Sequence, residues 1–104
     1  MDSFSTRVWE LALTIPEGRV TTYGALARAA GGTPITARSI TSILSKAPNP
    51  KAIPFHRIVY ANGTVWLSEE YKKKRMQLYK REGIAVDSKG RIVDFDEIFF
   101  DFTE

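Results

Sequence analysis

The chain has 104 residues, of which 43% are hydrophobic and 26% charged, a composition that predicts a single globular domain over residues 1–104 with a modest core. Cysteine is absent and His56 is the one histidine, which excludes disulfides, thiolate nucleophiles and multi-histidine metal centres. The sequence lacks a bilayer-length apolar run and the basic-then-apolar order of a signal peptide, so we expect a cytoplasmic protein without a membrane partner.

The net charge of +3 conceals an uneven distribution along the chain. Residues 1–86 carry 13 Lys or Arg and 6 Asp or Glu, a net charge of +7, whereas residues 87–104 carry 2 and 6, a net charge of −4. A basic body favours polyanionic partners, because protein cations release counterions from nucleic acid. A solvated surface that keeps the protein soluble would explain the same composition, so charge alone leaves both interpretations open.

The apolar residues at the start of the chain recur at helical spacing and predict a first helix over residues 4–15. Pro16 follows and is expected to end this helix. The next two residues, Glu17 and Gly18, are typical of a turn, and residues 19–21 are expected to be extended.

Two short helices with a glycine-containing break between them are predicted next. The first covers residues 23–30, with Thr22 as its N-cap, and the second covers residues 35–47. Helices connected in this way suggest a helix-turn-helix, in which the second helix faces the partner.

The outward face of this second helix combines small hydroxyl side chains with one long cation. Thr41, Ser42 and Ser45 are small enough for a nucleic-acid backbone to approach closely, and Arg38 can reach between bases. A helix that reads the major groove projects several long side chains, so this face is better suited to the minor groove. An ordinary solvent-exposed polar face is the other interpretation.

Two apolar runs, residues 57–60 and 64–67, are joined by Asn62-Gly63 and predict a β-hairpin. A hairpin after a helix-turn-helix gives the predicted fold class, mainly α with a small β component, as a winged helix-turn-helix DNA-binding domain. A charged helix is expected over residues 69–82. Its basic cluster, residues 72–75, is interpreted as a solvated face with incidental phosphate contacts.

Beyond this helix the sequence predicts a second hairpin around residues 88–90, where Ser-Lys-Gly separates two apolar runs. An acidic tail rich in phenylalanine follows over residues 94–104. Its aromatic side chains are expected to pack against the domain, and a docking patch for a partner is the alternative.

Three stretches taken together resemble a known family. They are "IPEGRVTTYGALA", then "ARS" at the start of a helix, then "IPFHRIV", in which Phe55 lies seventeen residues after Arg38. This order is similar to the DNA-binding C-terminal domain of O6-alkylguanine-DNA alkyltransferases, whose core motif is Pro-Cys-His-Arg-Val. Phe55 stands in place of the acceptor cysteine, so the chain most resembles the alkyltransferase-like proteins, over roughly residues 4–83.

The resemblance implies that the protein binds DNA by base flipping. Tyr23 resembles the tyrosine that stands near the backbone of the damaged nucleotide and helps to rotate it out. Arg38 resembles the arginine finger that fills the gap left by the flipped base. Thr36, Thr41 and Ser42 complete the expected DNA-binding residues.

The resemblance also implies a pocket for the flipped base. His56, Arg57 and Glu82 resemble an active-site network that activates the cysteine in alkyltransferases. Phe55 has no lone pair to offer, so no catalytic residue is expected, and its ring lines the pocket instead. Trp66 lies where relatives usually have a small residue, and it either caps the pocket or fills it. Neither a metal nor another cofactor is expected.

The implied function is non-enzymatic recognition of O6-alkylguanine in double-stranded DNA, which flags the lesion for nucleotide excision repair proteins. A winged-helix transcription regulator without lesion specificity is the alternative, and it predicts sequence preference together with a dimerisation element. A hydrolase built on His56 and Glu82 is a third class, but nothing in the sequence places a nucleophile beside His56, and no metal set exists to activate water.

Overall fold

Residues 3–33, 38–65 and 70–103 are described by the structure, a computed structural model, and these ranges contain five α-helices and two short strands. The protein is mainly helical with a small sheet, as predicted. None of the helices in the described ranges has the length and apolar character needed to cross a bilayer. In chain order the elements are α1 (Ser3–Ala12), β1 (Thr21–Thr22), α2 (Tyr23–Ala29), α3 (Ile40–Ser45), β2 (Ile58–Val59), α4 (Lys72–Glu82) and α5 (Phe95–Ile98).

Helix α1 is shorter than the helix predicted over residues 4–15. Its C-terminal end tightens, and the amide of Thr14 donates to the carbonyl of Leu11 at 3.0 Å. Pro16 explains the early end, because the residue before a proline is disfavoured in the helical conformation. Ile15 nevertheless remains buried, with 1% of its surface exposed.

Helices α2 and α3 form the predicted helix-turn-helix. The hydroxyl of Thr22 accepts a hydrogen bond from the amide of Ala25 at 3.0 Å, which confirms the predicted N-cap of α2. Gly31 follows this helix with a φ of +93°, a left-handed conformation that glycine adopts without strain and that turns the chain towards α3. The observed α3 is shorter than the predicted range 35–47, and residues 34–37 lie outside the described residues.

Helix α1 packs across both helices of the helix-turn-helix. The Arg7 Nε donates to the carbonyl of Ala30, and the Trp9 indole donates to the carbonyl of Ile43, both at 2.7 Å. These two bonds fix the C-terminal ends of α2 and α3 relative to α1. The helical core consists of the buried residues Val8, Ala12, Ile15, Leu26, Ala27, Ala30, Ile40, Leu44, Ala47, Ile53, Ile58 and Phe100.

The small sheet pairs two segments that are distant in sequence. Strands β1 and β2 run parallel, with Thr22 opposite Val59. The sequence predicted a hairpin within residues 57–67 and gave no sign of this parallel pairing, and residues 66–67 of that hairpin lie outside the described residues. The turn of the predicted hairpin is present, because the amide of Tyr60 donates to the carbonyl of Thr64 at 3.0 Å, and Thr64 also forms an antiparallel bridge with Arg91.

The acidic tail packs against the domain, as predicted. Val20 and Phe99 form a parallel bridge, and the amide of Phe100 donates to the carbonyl of Val20 at 2.7 Å. Arg19 donates to the carbonyls of Ile98 and Phe99 at 3.0 and 2.7 Å, and its guanidinium lies 5.7 Å from the centre of the Phe100 ring. The tail therefore extends the edge of β1 and closes the helical core.

A second, smaller core lies between α4 and the C-terminal hairpin. Val86 and Ile92 form an antiparallel bridge, which confirms the hairpin predicted around residues 88–90. The sheet also contributes to this core, since Val59 lies in β2 and Val20 directly precedes β1. Its buried residues are Val20, Val59, Val65, Tyr79, Ile84 and Ile92.

The burial of Phe100 predicts that the tail contributes to stability. Phe100 is 7% exposed, and Phe100→Ala should lower the free energy of unfolding by about 3 kcal/mol, because it leaves a cavity in the helical core. Val93→Ala is the control, since Val93 is 42% exposed and its loss should cost no more than about 0.5 kcal/mol. Urea unfolding followed by tryptophan fluorescence measures both. Equal stabilities of the two variants would contradict the anchoring of the tail.

Candidate nucleic-acid interface

The Glu82 network joins three segments of the chain around one carboxylate. His56 and Arg57 lie in a short 3-10 turn (Phe55–Arg57) just before β2, and Glu82 is the last residue of α4. The His56 Nε2 lies 2.5 Å from Glu82 Oε2. Arg57 donates from Nε to Oε1 at 3.0 Å and from Nη2 to Oε2 at 2.8 Å, and the amide of Gly18 donates to Oε1 at 2.9 Å.

Burial and hydrogen bonding set the charges in this network. The side chain of Glu82 is 3% exposed. Burial alone would raise the pKa of Glu82, but the hydrogen bonds from Arg57, the Gly18 amide and His56 outweigh it and lower the pKa to about 2. Burial also lowers the pKa of His56, against the opposing effect of Glu82. The carboxylate is therefore ionised and the imidazole neutral near neutral pH.

The neutral imidazole of His56 is oriented by Glu82 and Tyr79. The ionised Glu82 carboxylate can only accept hydrogen bonds, so Nε2 of His56 carries the proton and donates a hydrogen bond to it. In this tautomer, which is assigned from the hydrogen-bond network, Nδ1 is an acceptor. The Tyr79 ring packs edge-on against the imidazole, with 5.8 Å between the ring centres. These contacts hold the imidazole in one orientation.

Phe55 stands beside this network at the position that the sequence assigns to the pocket. It is partly buried and packs against the helical core, so part of its surface stays accessible. A phenyl ring can support a base or an alkyl group through apolar contact, but it cannot take up an alkyl group. The arrangement is therefore suited to binding, and no cysteine is present to act as a nucleophile.

Tyr23 connects the helix-turn-helix to the rest of the site. It is the first residue of α2, and its ring centre lies 5.8 Å from that of Tyr60, with the planes tilted by 44°. Burial and the neighbouring Tyr60 raise the pKa of Tyr23, although Arg75 and a hydrogen bond with Thr41 act in the opposite direction. The neutral phenol thus lies beside the outward face of α3.

The other predicted DNA-binding residues are placed at the start and along the outward face of α3. Arg38, Thr41 and Ser42 are exposed, in agreement with the predicted outward face. The structure brings Thr41 next to Tyr23, whereas Arg38 lies two residues before the first residue of α3. Two predicted residues, Thr36 and Trp66, lie outside the described residues, so their roles stay predictions.

Arg75 is a site residue that the sequence interpretation missed. Lys72, Lys73 and Lys74 are exposed, as expected of a solvated face, but Arg75 is partly buried, so that interpretation is wrong for the arginine. Its charge acts on the pKa values of Tyr23, His56 and Tyr79. Burial raises the pKa of Tyr79 to about 12, against the effect of Arg75.

Helical spacing could have revealed the position of Arg75. In α4, residues 75, 79 and 82 are separated by four and three positions, so they share one face of the helix. The inward-facing glutamate therefore implies an inward-facing arginine about two turns earlier. Among the described residues, no cluster of three or more His, Asp or Glu could hold a metal ion.

Comparisons with known proteins agree with this arrangement. The family model described as the DNA binding domain of 6-O-methylguanine DNA methyltransferase matches residues 3–84. The chain is 40% identical over 91 residues to a DNA base-flipping protein of Escherichia coli, covering 88% of this chain and 70% of that protein. It is 31% identical over 91 residues to alkyltransferase-like protein 1 of Schizosaccharomyces pombe, covering 83% of this chain and 81% of that protein.

Solved structures show the same likeness. The crystal structure of S. pombe Atl1 in complex with damaged DNA containing O6-carboxymethylguanine superimposes with a TM-score of 0.74. The two chains are 28% identical, and the match covers 96% of each. The match extends past the residues of the family model, so the acidic tail belongs to the shared fold.

The Glu82 network makes stability depend on pH. Because the folded pKa of Glu82, about 2, lies below its ordinary value of 4.5, the network stabilises the fold fully above that ordinary value. The stabilisation is then lost as the pH falls towards the folded pKa. The wild-type protein should therefore lose free energy of unfolding from about pH 5 downwards.

Glu82→Gln tests this effect. At neutral pH the variant should be less stable than the wild type by about 3 kcal/mol, because it leaves Arg57 without its carboxylate. This difference should shrink as the pH falls, whereas exposed Glu17→Gln should follow the wild type. Urea unfolding at a series of pH values measures it. A constant difference between wild type and Glu82→Gln at all pH values would contradict the assignment.

Proposed function

Because the chain belongs to the family of 6-O-methylguanine DNA methyltransferase DNA-binding domains, we propose that it recognises O6-alkylguanine in double-stranded DNA and leaves the lesion chemically intact. The sequence contains no cysteine, so the protein has no thiolate to accept an alkyl group and is not a cysteine methyltransferase. The proposal is supported by its likeness to a DNA base-flipping protein and to Atl1, which was crystallised with O6-carboxymethylguanine DNA.

One observation carries the proposal. The Glu82 network is intact around His56, while the adjacent position holds Phe55, which cannot react. The imidazole is neutral and held in one orientation, and the neighbouring Phe55 ring is partly accessible. The combination is what a pocket for an alkylated base requires, namely an apolar wall beside fixed polar groups.

The helix-turn-helix supplies the DNA contacts. The exposed hydroxyl side chains of α3 let the backbone of the minor groove approach, and Arg38 enters the base stack where the lesion leaves it. Tyr23 stands beside Thr41 and contacts the backbone of the rotated nucleotide. The positive charge of the first 86 residues favours this approach, since phosphate contacts supply sequence-independent affinity.

The flipped base enters the space beside Phe55. Its alkyl group packs on the phenyl ring, and Nδ1 of His56 is available to accept a hydrogen bond from the base. Arg75 adds a positive charge close to Tyr23 and His56, where it can attract an electron-rich ring or a phosphate. Recognition by these groups requires no covalent step.

We further propose that the bound lesion is a signal for nucleotide excision repair proteins in the cytoplasm. The reason is chemical, because a protein that binds a lesion without an acceptor residue leaves its removal to another system. Trp66 and Thr36 are proposed to complete the pocket and the DNA-binding surface, respectively.

Binding to matched duplexes tests the proposal. Wild-type protein should bind a duplex with one O6-methylguanine about tenfold more tightly than the same duplex with guanine, because the weakened base pair lowers the cost of flipping by about 1.4 kcal/mol. Arg38→Ala should remove most of this preference, because nothing then fills the gap. Lys89→Ala, which removes a charge from the C-terminal hairpin, should retain it.

Fluorescence anisotropy at one moderate salt concentration measures the six affinities, those of the three proteins for the two duplexes. Equal binding of the two duplexes by the wild type would contradict lesion recognition. A preference for particular undamaged sequences would instead favour the winged-helix transcription regulator.

A further inference from the structure

Tyr60 is an exposed aromatic residue held in a rigid turn. It follows β2 directly, and 44% of its surface is exposed. Its amide donates to the carbonyl of Thr64 at 3.0 Å, and its carbonyl accepts from the amide of Gly63 at 2.8 Å. Gly63 has a φ of +84°, and the Asn62 side chain accepts hydrogen bonds from the amide and hydroxyl of Thr64. The backbone on both sides of Tyr60 is therefore fixed.

The parallel sheet places Tyr60 next to Tyr23. Thr22 is opposite Val59 in the sheet, so the following residues, Tyr23 and Tyr60, leave the two strands side by side. Their rings lie 5.8 Å apart at the centres. Because Tyr23 also reaches Thr41 on α3, the surface beside the helix-turn-helix carries two tyrosines and not one.

An aromatic side chain in this position is suited to contact with a nucleotide. Stacking of a base on an aromatic ring contributes about 1–3 kcal/mol, and a phenol can donate a hydrogen bond to a phosphate oxygen. Tyr60 has an exposed ring for the first contact and a hydroxyl for the second. The fixed turn limits the conformational entropy that the contact would cost.

We propose that Tyr60 is a second aromatic DNA-contact residue, whose ring packs on the nucleotide that flanks the flipped one in the same strand while its hydroxyl donates to the adjacent phosphate. The proposal rests on the proposed function, in which Tyr23 contacts the flipped nucleotide itself. Tyr23 and Tyr60 then hold two consecutive nucleotides, which fixes the position of the backbone during base rotation.

Binding measurements on single and double variants separate a direct contact from a positioning role. Tyr60→Leu should weaken binding about tenfold on both the O6-methylguanine and the guanine duplex, and Tyr60→Phe about threefold, because the first loses ring and hydroxyl and the second the hydroxyl alone. In a Tyr23→Ala background, Tyr60→Leu should still weaken binding at least about threefold. Loss of the effect in that background would mean that Tyr60 acts only through Tyr23, and would overturn the proposal.

Photocrosslinking identifies the contact itself. A 5-iodouracil next to the O6-methylguanine should crosslink to a peptide that contains Tyr60, and the crosslink should disappear in Tyr60→Leu. It should persist in Leu13→Ala, which removes another exposed apolar side chain, one that is 55% exposed. A crosslink that survives Tyr60→Leu would overturn the proposal.

Lesion recognition and the Tyr60 contact can be refuted independently of each other. Equal wild-type affinity for the two duplexes would refute lesion recognition, yet a Tyr60-dependent loss of affinity on both would leave the contact standing. Conversely, a lesion preference that is unchanged by Tyr60→Leu, with unchanged affinity on both duplexes, would refute the contact alone.

Discussion

The carboxylate of Glu82 is the interaction on which the rest of the site depends. A buried charge costs several kcal/mol unless its oxygens are satisfied, and here Gly18, His56 and Arg57 supply the donors. Arg57 also donates to the carbonyl of Ile15 at 2.9 Å. One ion therefore connects the end of the first helical segment, the turn after it, the start of β2 and the end of α4. These connections fix the turn that carries Phe55 relative to the helices that precede it.

The same network explains how the site keeps its form without a cysteine nucleophile. In this chain the oriented His56 has no thiol to activate, but it remains necessary for packing against Tyr79 and for satisfying Glu82. The groups that maintain the structure are thus the same groups that the proposed function assigns to recognition. In the proposed function, Phe55 beside them is an apolar wall for the bound base, and the protein binds the lesion without reacting with it.

Much of this architecture could be predicted from the sequence, where the signals are local. The N-cap at Thr22 and the helix-turn-helix follow from residues a few positions apart. His56 and Glu82 are 26 positions apart, and only the family resemblance predicted that they meet. Parallel pairing of β1 with β2 has no local signal, and the Asn-Gly turn favoured a hairpin instead. Arg75 was predicted to be solvent-exposed because it follows three lysines, and its spacing from Glu82 on the helix was not considered.

The most direct test of base flipping into an unreactive pocket is an NMR spectrum of the complex with a duplex whose O6-methylguanine carries an isotopically labelled methyl group. The methyl resonance should move upfield on binding, because it enters the ring current of Phe55, and this shift should decrease in Phe55→Leu. It should also keep the chemical shift range of an oxygen-bound methyl group after long incubation. An unshifted methyl signal in the saturated complex, or a new signal from a methylated protein side chain, would contradict the account.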